Sequence, residues 1–368
     1  MELINATRMA AGYNIGMEAS GRELLVIVVK GTFRILPQGG PEQFALHERQ
    51  LPLVMADTFS GEPGLSAPVY EVDFAACKPR CDILLNGTAY APRRDPVTRV
   101  EAGMRIGSWS KRFAVVGPRD WDCALGTIRA TPPRRFLSQP VSYDTAFGGT
   151  DRNHEDVAEH GSYMPNPVGR GYHKHLKREW VDGKPLPATE ELGRPIADTI
   201  GKYRPMALGA VGRGWEPRYR FAGTYDERWF EQHFPFLPPD FDTRYFQAAP
   251  EDQQVPLGFF NGGVEVLLTN LTPDGLTRFA VPRLVAPVAV FPKNGPREDC
   301  TAVLDTILIE PDEQRFCLTW RLARPLKHDV FEVARVQVGK KGHEWWQSRA
   351  ETTFSGSDRP PRPVPLAP

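Results

Sequence analysis

Asp240 and Asp242 flank Phe241 directly after Pro238-Pro239, and Asp226 lies nearby in the chain. Two carboxyls on either side of a glycosidic bond can hydrolyse it, one as general acid and the other as base or nucleophile. Aspartates at such positions also cap turns and short helices. Cys77-x-x-x-Cys81 has the spacing of half a zinc site, but no second Cys pair or spaced His pair completes it, and His173-x-His175 lies far along the chain. Asp151-x-Asn153-x-Glu155 echoes a calcium loop, yet Asp156 stands where that loop needs glycine. No metal site is therefore expected.

Phosphate and cofactor signatures are missing too. Lys30-Gly31-Thr32 looks like the end of a phosphate loop but continues a strand pattern instead of opening a helix. Gly209-x-x-Gly212-x-Gly214 has the wrong order for a dinucleotide fingerprint and runs into Trp215-Glu216-Pro217. There is no His-Glu-x-x-His and no Gly-x-Ser-x-Gly elbow. No cofactor is expected and no catalytic residue is assigned. The Asp240/Asp242 pair stays open as a hydrolase alternative.

The elements that must position these residues are mainly strands. Between Glu23 and Leu36 the odd positions Leu25, Ile27, Val29, Phe33 and Ile35 are apolar, while the even ones change from Leu24, Val26 and Val28 to Lys30, Thr32 and Arg34. This period of two predicts a strand that enters the core and leaves it half exposed. Val100 to Ile106 and Lys111 to Val116 predict an antiparallel hairpin. Cys81 to Ala91 reads as one further strand. Val264–Leu271 and Leu276–Val281 flank Pro273-Asp274-Gly275, and Thr301–Ile309 and Arg315–Leu322 flank Glu310-Pro311-Asp312-Glu313, predicting two more hairpins. The expected fold is mainly β, a sandwich or barrel of antiparallel sheets with long ordered loops and a few short helices.

The stretch 131–256 has no long periodic pattern and carries repeated Gly and Pro together with many aromatic residues. Disordered linkers are poor in aromatics, so packed loops are expected. Thr224-x-x-Glu227 has capping-box form, opening a helix that gathers Trp229, Phe230 and His233 and stops before Pro235. Residues 1–345 read as a single β-rich domain and 346–368 as a Pro-rich, disordered tail.

The chain of 368 residues has 45 Lys and Arg against 45 Asp and Glu, a net charge of zero that argues against a nucleic-acid binder. Its longest plain apolar run, Leu24 to Val29, is too short to span a bilayer, so no membrane insertion is expected. The start carries no secretory signal pattern, and the five Cys form no disulfide framework. A cytoplasmic location is the expectation. The 33 Gly and 36 Pro supply many turns on a β scaffold, and aromatic and Arg residues in such loops suit an interface better than a catalytic site.

A series of short motifs along the chain carries a resemblance to a known family. The matching pieces are Asn5-Ala-Thr7, Val29-Lys-Gly-Thr-Phe33, Glu71-Val-Asp73 with Lys78-Pro79 and Cys81-Asp82, and Gly117-Pro-Arg-Asp-Trp121. Ala146-Phe-Gly-Gly-Thr-Asp151, Asn166-Pro-Val-Gly-Arg-Gly171, Trp215-Glu-Pro-Arg218 and Ala222-Gly-Thr-Tyr-Asp226 follow. Leu237-Pro-Pro-Asp-Phe-Asp242 and Ala249-Pro-Glu-Asp-Gln253 complete the series. Their order resembles the domain of unknown function 2169 family of bacterial proteins. The family often has Gly-Asp-Arg-x-Trp where this chain has Pro118-Arg119-Asp120-Trp121. The resemblance implies a non-enzymatic adaptor or chaperone of type VI secretion. Its expected partners are a secreted toxin effector and the VgrG/PAAR spike onto which the effector is loaded. A structural or immunity protein of the same system is a further alternative.

The loops at about 143–171 and 213–247 are the expected contact, with Arg170, Trp215, Arg218, Tyr225, Trp229 and Tyr245 as partner-binding candidates. Lys30, Asp73, Lys78, Trp121, Phe147, Gly148, Gly149, Asn166, Gly169, Gly171, Asp226 and Asp240 are expected to fix the fold. Arg218 is expected to pair with Asp226 if it turns inward.

Overall fold

The computed structural model describes residues 1–38, 43–124, 126–199, 202–261 and 263–340; the tail 346–368 lies outside the described residues. The fold is mainly β. A nine-stranded sheet runs in the order Glu2–Asn5, Val333–Val338, Ala286–Pro292, Glu298–Glu310, Arg315–Pro325, Glu23–Arg34 and Ala10–Met17. Cys81–Leu85 joins it parallel to the second half of Glu298–Glu310 and carries the short strand Gln254–Val255. The two end strands, Glu2–Asn5 and Ala10–Met17, are consecutive in the chain, so the sheet curls into a nearly closed barrel. A second, five-stranded sheet runs Thr189–Glu190, Trp109–Val116, Arg99–Ile106, Val264–Thr269 and Leu276–Val281, antiparallel throughout.

The expected hairpins all form, because turn chemistry and alternation agree. Arg99–Ile106 pairs with Trp109–Val116 through Gly107, whose φ of +54° gives the left-handed backbone that a two-residue hairpin turn needs. Thr272 accepts from the N–H of Gly275 across Pro273-Asp274. Pro311–Glu313 forms a single 3-10 turn between the other pair of strands. The inward residues of both sheets merge in one core that includes Leu25, Ile27, Ile83, Phe113, Leu268, Phe316 and Trp320. Each such side chain contributes about 1.5–3 kcal/mol by leaving water.

Two expectations need correction. Glu23–Arg34 is not half exposed: every residue from Leu24 to Phe33 is buried. Leu24, Val26 and Val28 face a separate cluster with Ala76, Leu53, Phe74 and Phe246. Beyond them the polar residues bond to the same covering chain. Lys30 Nζ reaches Asp73 Oδ2 at 2.9 Å, and Thr32 Oγ1 accepts from the N–H of Leu51 at 3.0 Å. Cys81 to Ala91 is also not one strand. It breaks at Asn86, whose side chain donates to the Val69 carbonyl, into Cys81–Leu85 on the large sheet and Gly87–Tyr90 paired with Ser138–Val141.

The region 131–256 is a set of packed loops with three short helices, Arg178–Val181, Glu216–Tyr219 and Glu227–Gln232. Trp121, Phe147, Val181, Leu186, Ile196 and Tyr203 give it a core of its own. Among the described residues, no helix is long and apolar enough to cross a membrane.

Candidate functional site

The segments 51–82 and 209–250 lie over the outer face of the large sheet, and buried ion pairs hold them there. Lys78 Nζ donates to Asp82 Oδ2 at 2.7 Å and to Thr306 at 3.1 Å. Asp82, fully buried, also accepts from the Ala248 N–H at 2.8 Å and from the Gln247 side chain at 2.5 Å. Burial works against the Lys78 ammonium, but the Asp82 and Glu71 carboxylates prevail and raise its pKa. Arg218 Nη2 meets Glu71 at 2.5 Å, and the same guanidinium donates to the carbonyls of Tyr245 and Val211. Arg213 bridges Glu71 at 2.8 Å and Asp57 at 2.7 Å. Burial alone would raise the Asp57 pKa, yet Arg213 and the Val72 N–H hold it below the ordinary value. Arg321 closes the frame, bonding Asp305 and the carbonyls of Asp73 and Ala75. A charge buried this way is costly to leave unpaired, so these pairs lock the loops onto the sheet.

Beside the frame, a glycine corner sets the path of the chain. Gly148 and Gly149 sit at φ +150° and +122°, and Gly171 at +91°. A Cβ on Gly148 would lie 2.0 Å from the carbonyl oxygen of Asn166, so backbone packs directly on backbone. Asn166, fully buried, donates its side-chain amide to the carbonyls of Tyr143 and Phe147. Gly169 packs its backbone against Asn166 and Ala146. Phe147 and Trp121 fill the adjoining core.

Of the partner-binding candidates, Trp215 and Arg218 are buried. Trp215 packs edge-on against Tyr143, and Arg218 pairs with Glu71, not with Asp226. The reason is reach: Asp226 is turned to solvent and caps its own helix, accepting from the Trp229 N–H at 2.8 Å. That also corrects the expected capping box, since Asp226, not Thr224, is the N-cap. Thr224 instead donates twice to Asp240. Arg170 is exposed, and its side chain forms no hydrogen bond or ion pair among the described residues. Tyr245 is half-buried, with the Arg218 guanidinium over its ring.

Tyr225 and Trp229 belong to a different kind of surface. Trp229 is clasped between Tyr225 and Phe234, with ring centroids 4.7 and 5.8 Å away, and its indole N–H donates to the Phe236 carbonyl. Phe230 leans on Phe234 at 5.6 Å. The outcome is an aromatic knob on the loop 224–236 with large faces in solvent: Tyr225 is 53% exposed, Phe230 65%, Phe234 60% and Phe236 45%. Sequence reasoning found Trp229 and Tyr225 but missed Phe234 and Phe236; the signal was their grouping around Pro235 immediately after the helix stop. An open apolar groove of about 410 Å³, lined by Met55, Phe59, Val72, Phe74 and Phe246, lies on the same outer segments.

The two aspartates that opened the sequence argument are both engaged, Asp240 by Thr224 across the loop and Asp242 as a cap. Hydrogen bonds from the Thr224 backbone and hydroxyl hold the Asp240 pKa low. Asp242 caps the 3-10 turn Thr243–Phe246, and the Arg244 guanidinium lowers its pKa. A general acid needs a raised pKa, which neither has. Among the described residues no group of three or more His, Cys, Asp or Glu is placed to hold a metal ion, and all five Cys are free.

A family model described as an uncharacterized protein conserved in bacteria, DUF2169, matches residues 20–321. The chain belongs to this family. The matched span of DUF2169 contains the ion-paired frame up to Arg321, the glycine corner and the aromatic knob. No curated protein and no solved structure matches the chain.

Proposed function

We propose that this DUF2169 protein is a non-enzymatic adaptor or chaperone that binds a type VI secretion effector and helps load it onto the VgrG/PAAR spike, working in the cytoplasm. The observation that carries this reading is the aromatic knob. Several large apolar faces stand in solvent on one short loop, and aromatic side chains of this kind anchor interfaces. The loop springs from segments tied to the sheet by buried ion pairs, so little conformational freedom remains to be lost on binding. The motif resemblance supplies the identity of the partners. Hydrolysis through Asp240 and Asp242 has less support, because both carboxylates are hydrogen-bonded and held low.

The test is affinity co-purification of the full-length chain from its own bacterium, read by mass spectrometry. Recovery of a toxin effector or a VgrG/PAAR protein is the expected result. Recovery of neither overturns the adaptor reading. Protection of a toxin-expressing cell by this protein alone would favour an immunity role instead.

A further inference from the structure

A second cleft opens on the same loops, about 320 Å³ in volume, and its walls are rich in guanidinium groups. Arg244 and Arg220 both lie over Phe221, their guanidinium carbons 4.1 and 4.7 Å from the ring centroid. Arg80 stands in the same lining, and Arg218, whose three nitrogens are all engaged within the buried frame, borders it. Much of their hydrogen-bonding capacity is unspent. Asp242 takes Nε and Nη2 of Arg244, leaving Nη1. Arg80 gives one N–H to the Gln254 carbonyl and has no acidic partner among the described residues. The Arg220 side chain makes no hydrogen bond among the described residues; its nearest carboxylates are Glu216 at 3.7 Å and Glu251, itself in the cleft lining, at 4.0 Å, and it is half exposed.

We propose that this cleft receives a carboxylate side chain from an acidic peptide segment of the partner. Guanidinium is planar and matches a carboxylate with two parallel N–H donors, and stacking on a phenyl ring fixes its plane beforehand. The aromatic knob follows Phe221 in the chain, so the preferred segment carries an apolar or aromatic residue next to its acids. A zero net charge lacks the basic field that a nucleic-acid ligand would need, which selects peptide over oligonucleotide. The identity of the peptide's donor rests on the adaptor reading; the binding chemistry stands on the cleft.

The experiment uses full-length protein and three fluorescein-labelled peptides, Glu-Glu-Phe-Glu-Glu and its all-Gln and all-Lys counterparts, followed by anisotropy at low and moderate salt. The acidic peptide is expected to bind about tenfold tighter than the Gln peptide and to weaken with salt. The double variant Arg80→Gln/Arg220→Gln, whose exposed positions leave the fold intact by circular dichroism, is expected to lose about tenfold for the acidic peptide alone. Arg80→Glu/Arg220→Glu is expected to turn the preference toward the Lys peptide. Equal binding of all three peptides by the wild type overturns the proposal, as does acidic binding untouched by the Arg variants. Displacement of the acidic peptide by a single-stranded oligonucleotide that binds more tightly would also overturn it. Co-purification separates the two readings. An effector captured equally by wild type and the Gln double variant defeats the cleft and keeps the adaptor. Arg-dependent peptide binding with neither effector nor spike protein recovered keeps the cleft and defeats the adaptor.

Discussion

Lys78 and Phe230 both lie outside the strands of the large sheet, yet one is buried against three oxygen-bearing neighbours and the other has most of its surface in water. Around Lys78 the chain gathers Asp82, Glu71 and Arg218 with almost no exposure, and Arg213 at the partly exposed rim. Around Phe230 it gathers Tyr225, Trp229 and Phe234, and leaves wide apolar faces uncovered. On the proposed reading, the two regions divide stability from recognition. Motif residues that look functional in the sequence, such as Arg218 and Trp215, turned inward. Less conspicuous phenylalanines stayed outside.

Substitutions should separate the two regions by size of effect. Lys78→Met strips the buried Asp82 of its counter-charge and should destabilise the protein by about 3–5 kcal/mol in chemical denaturation; a loss below about 1 kcal/mol would deny the frame its role. Gly148→Ala forces a side chain into a positive-φ site and against the Asn166 carbonyl, and should cost about 2 kcal/mol or more. An unchanged melting temperature would show that the corner relaxes easily. Asp226→Ala removes the cap of Glu227–Gln232 and should cost about 1 kcal/mol. Its effect should appear as faster amide exchange at Trp229, whose N–H it holds, and no change there would contradict the cap assignment.

What the sequence revealed divides along the same line. The three hairpins were legible because alternation and turn residues are local signals, as in Phe316, Leu318 and Trp320 after Pro311. The burial of Lys30 and Thr32 was not, since their cover comes from Leu51 and Asp73, far along the chain. Arg218 was misassigned to Asp226 for the same reason: Glu71, its true partner, is 147 residues away, and no periodicity encodes that distance. The break at Asn86 was hidden because Ile83, Leu85 and Ala89 keep a period of two across it and only long-range pairing separates the halves. On the surface, Trp229 was found through the helix that carries it and Tyr225 through the motif just before that helix. Phe234 and Phe236 were missed because exposure of a phenylalanine is decided by what fails to cover it.

The smallest expected change in stability per site belongs to the most informative variant. Phe230→Ala/Phe234→Ala removes two exposed rings and should alter unfolding free energy by no more than about 0.5 kcal/mol per site. In the same preparation, capture of the effector or spike protein by the full-length chain should fall to background. A folded double variant that captures its partner as well as the wild type does would contradict the claim that the aromatic knob is the recognition surface.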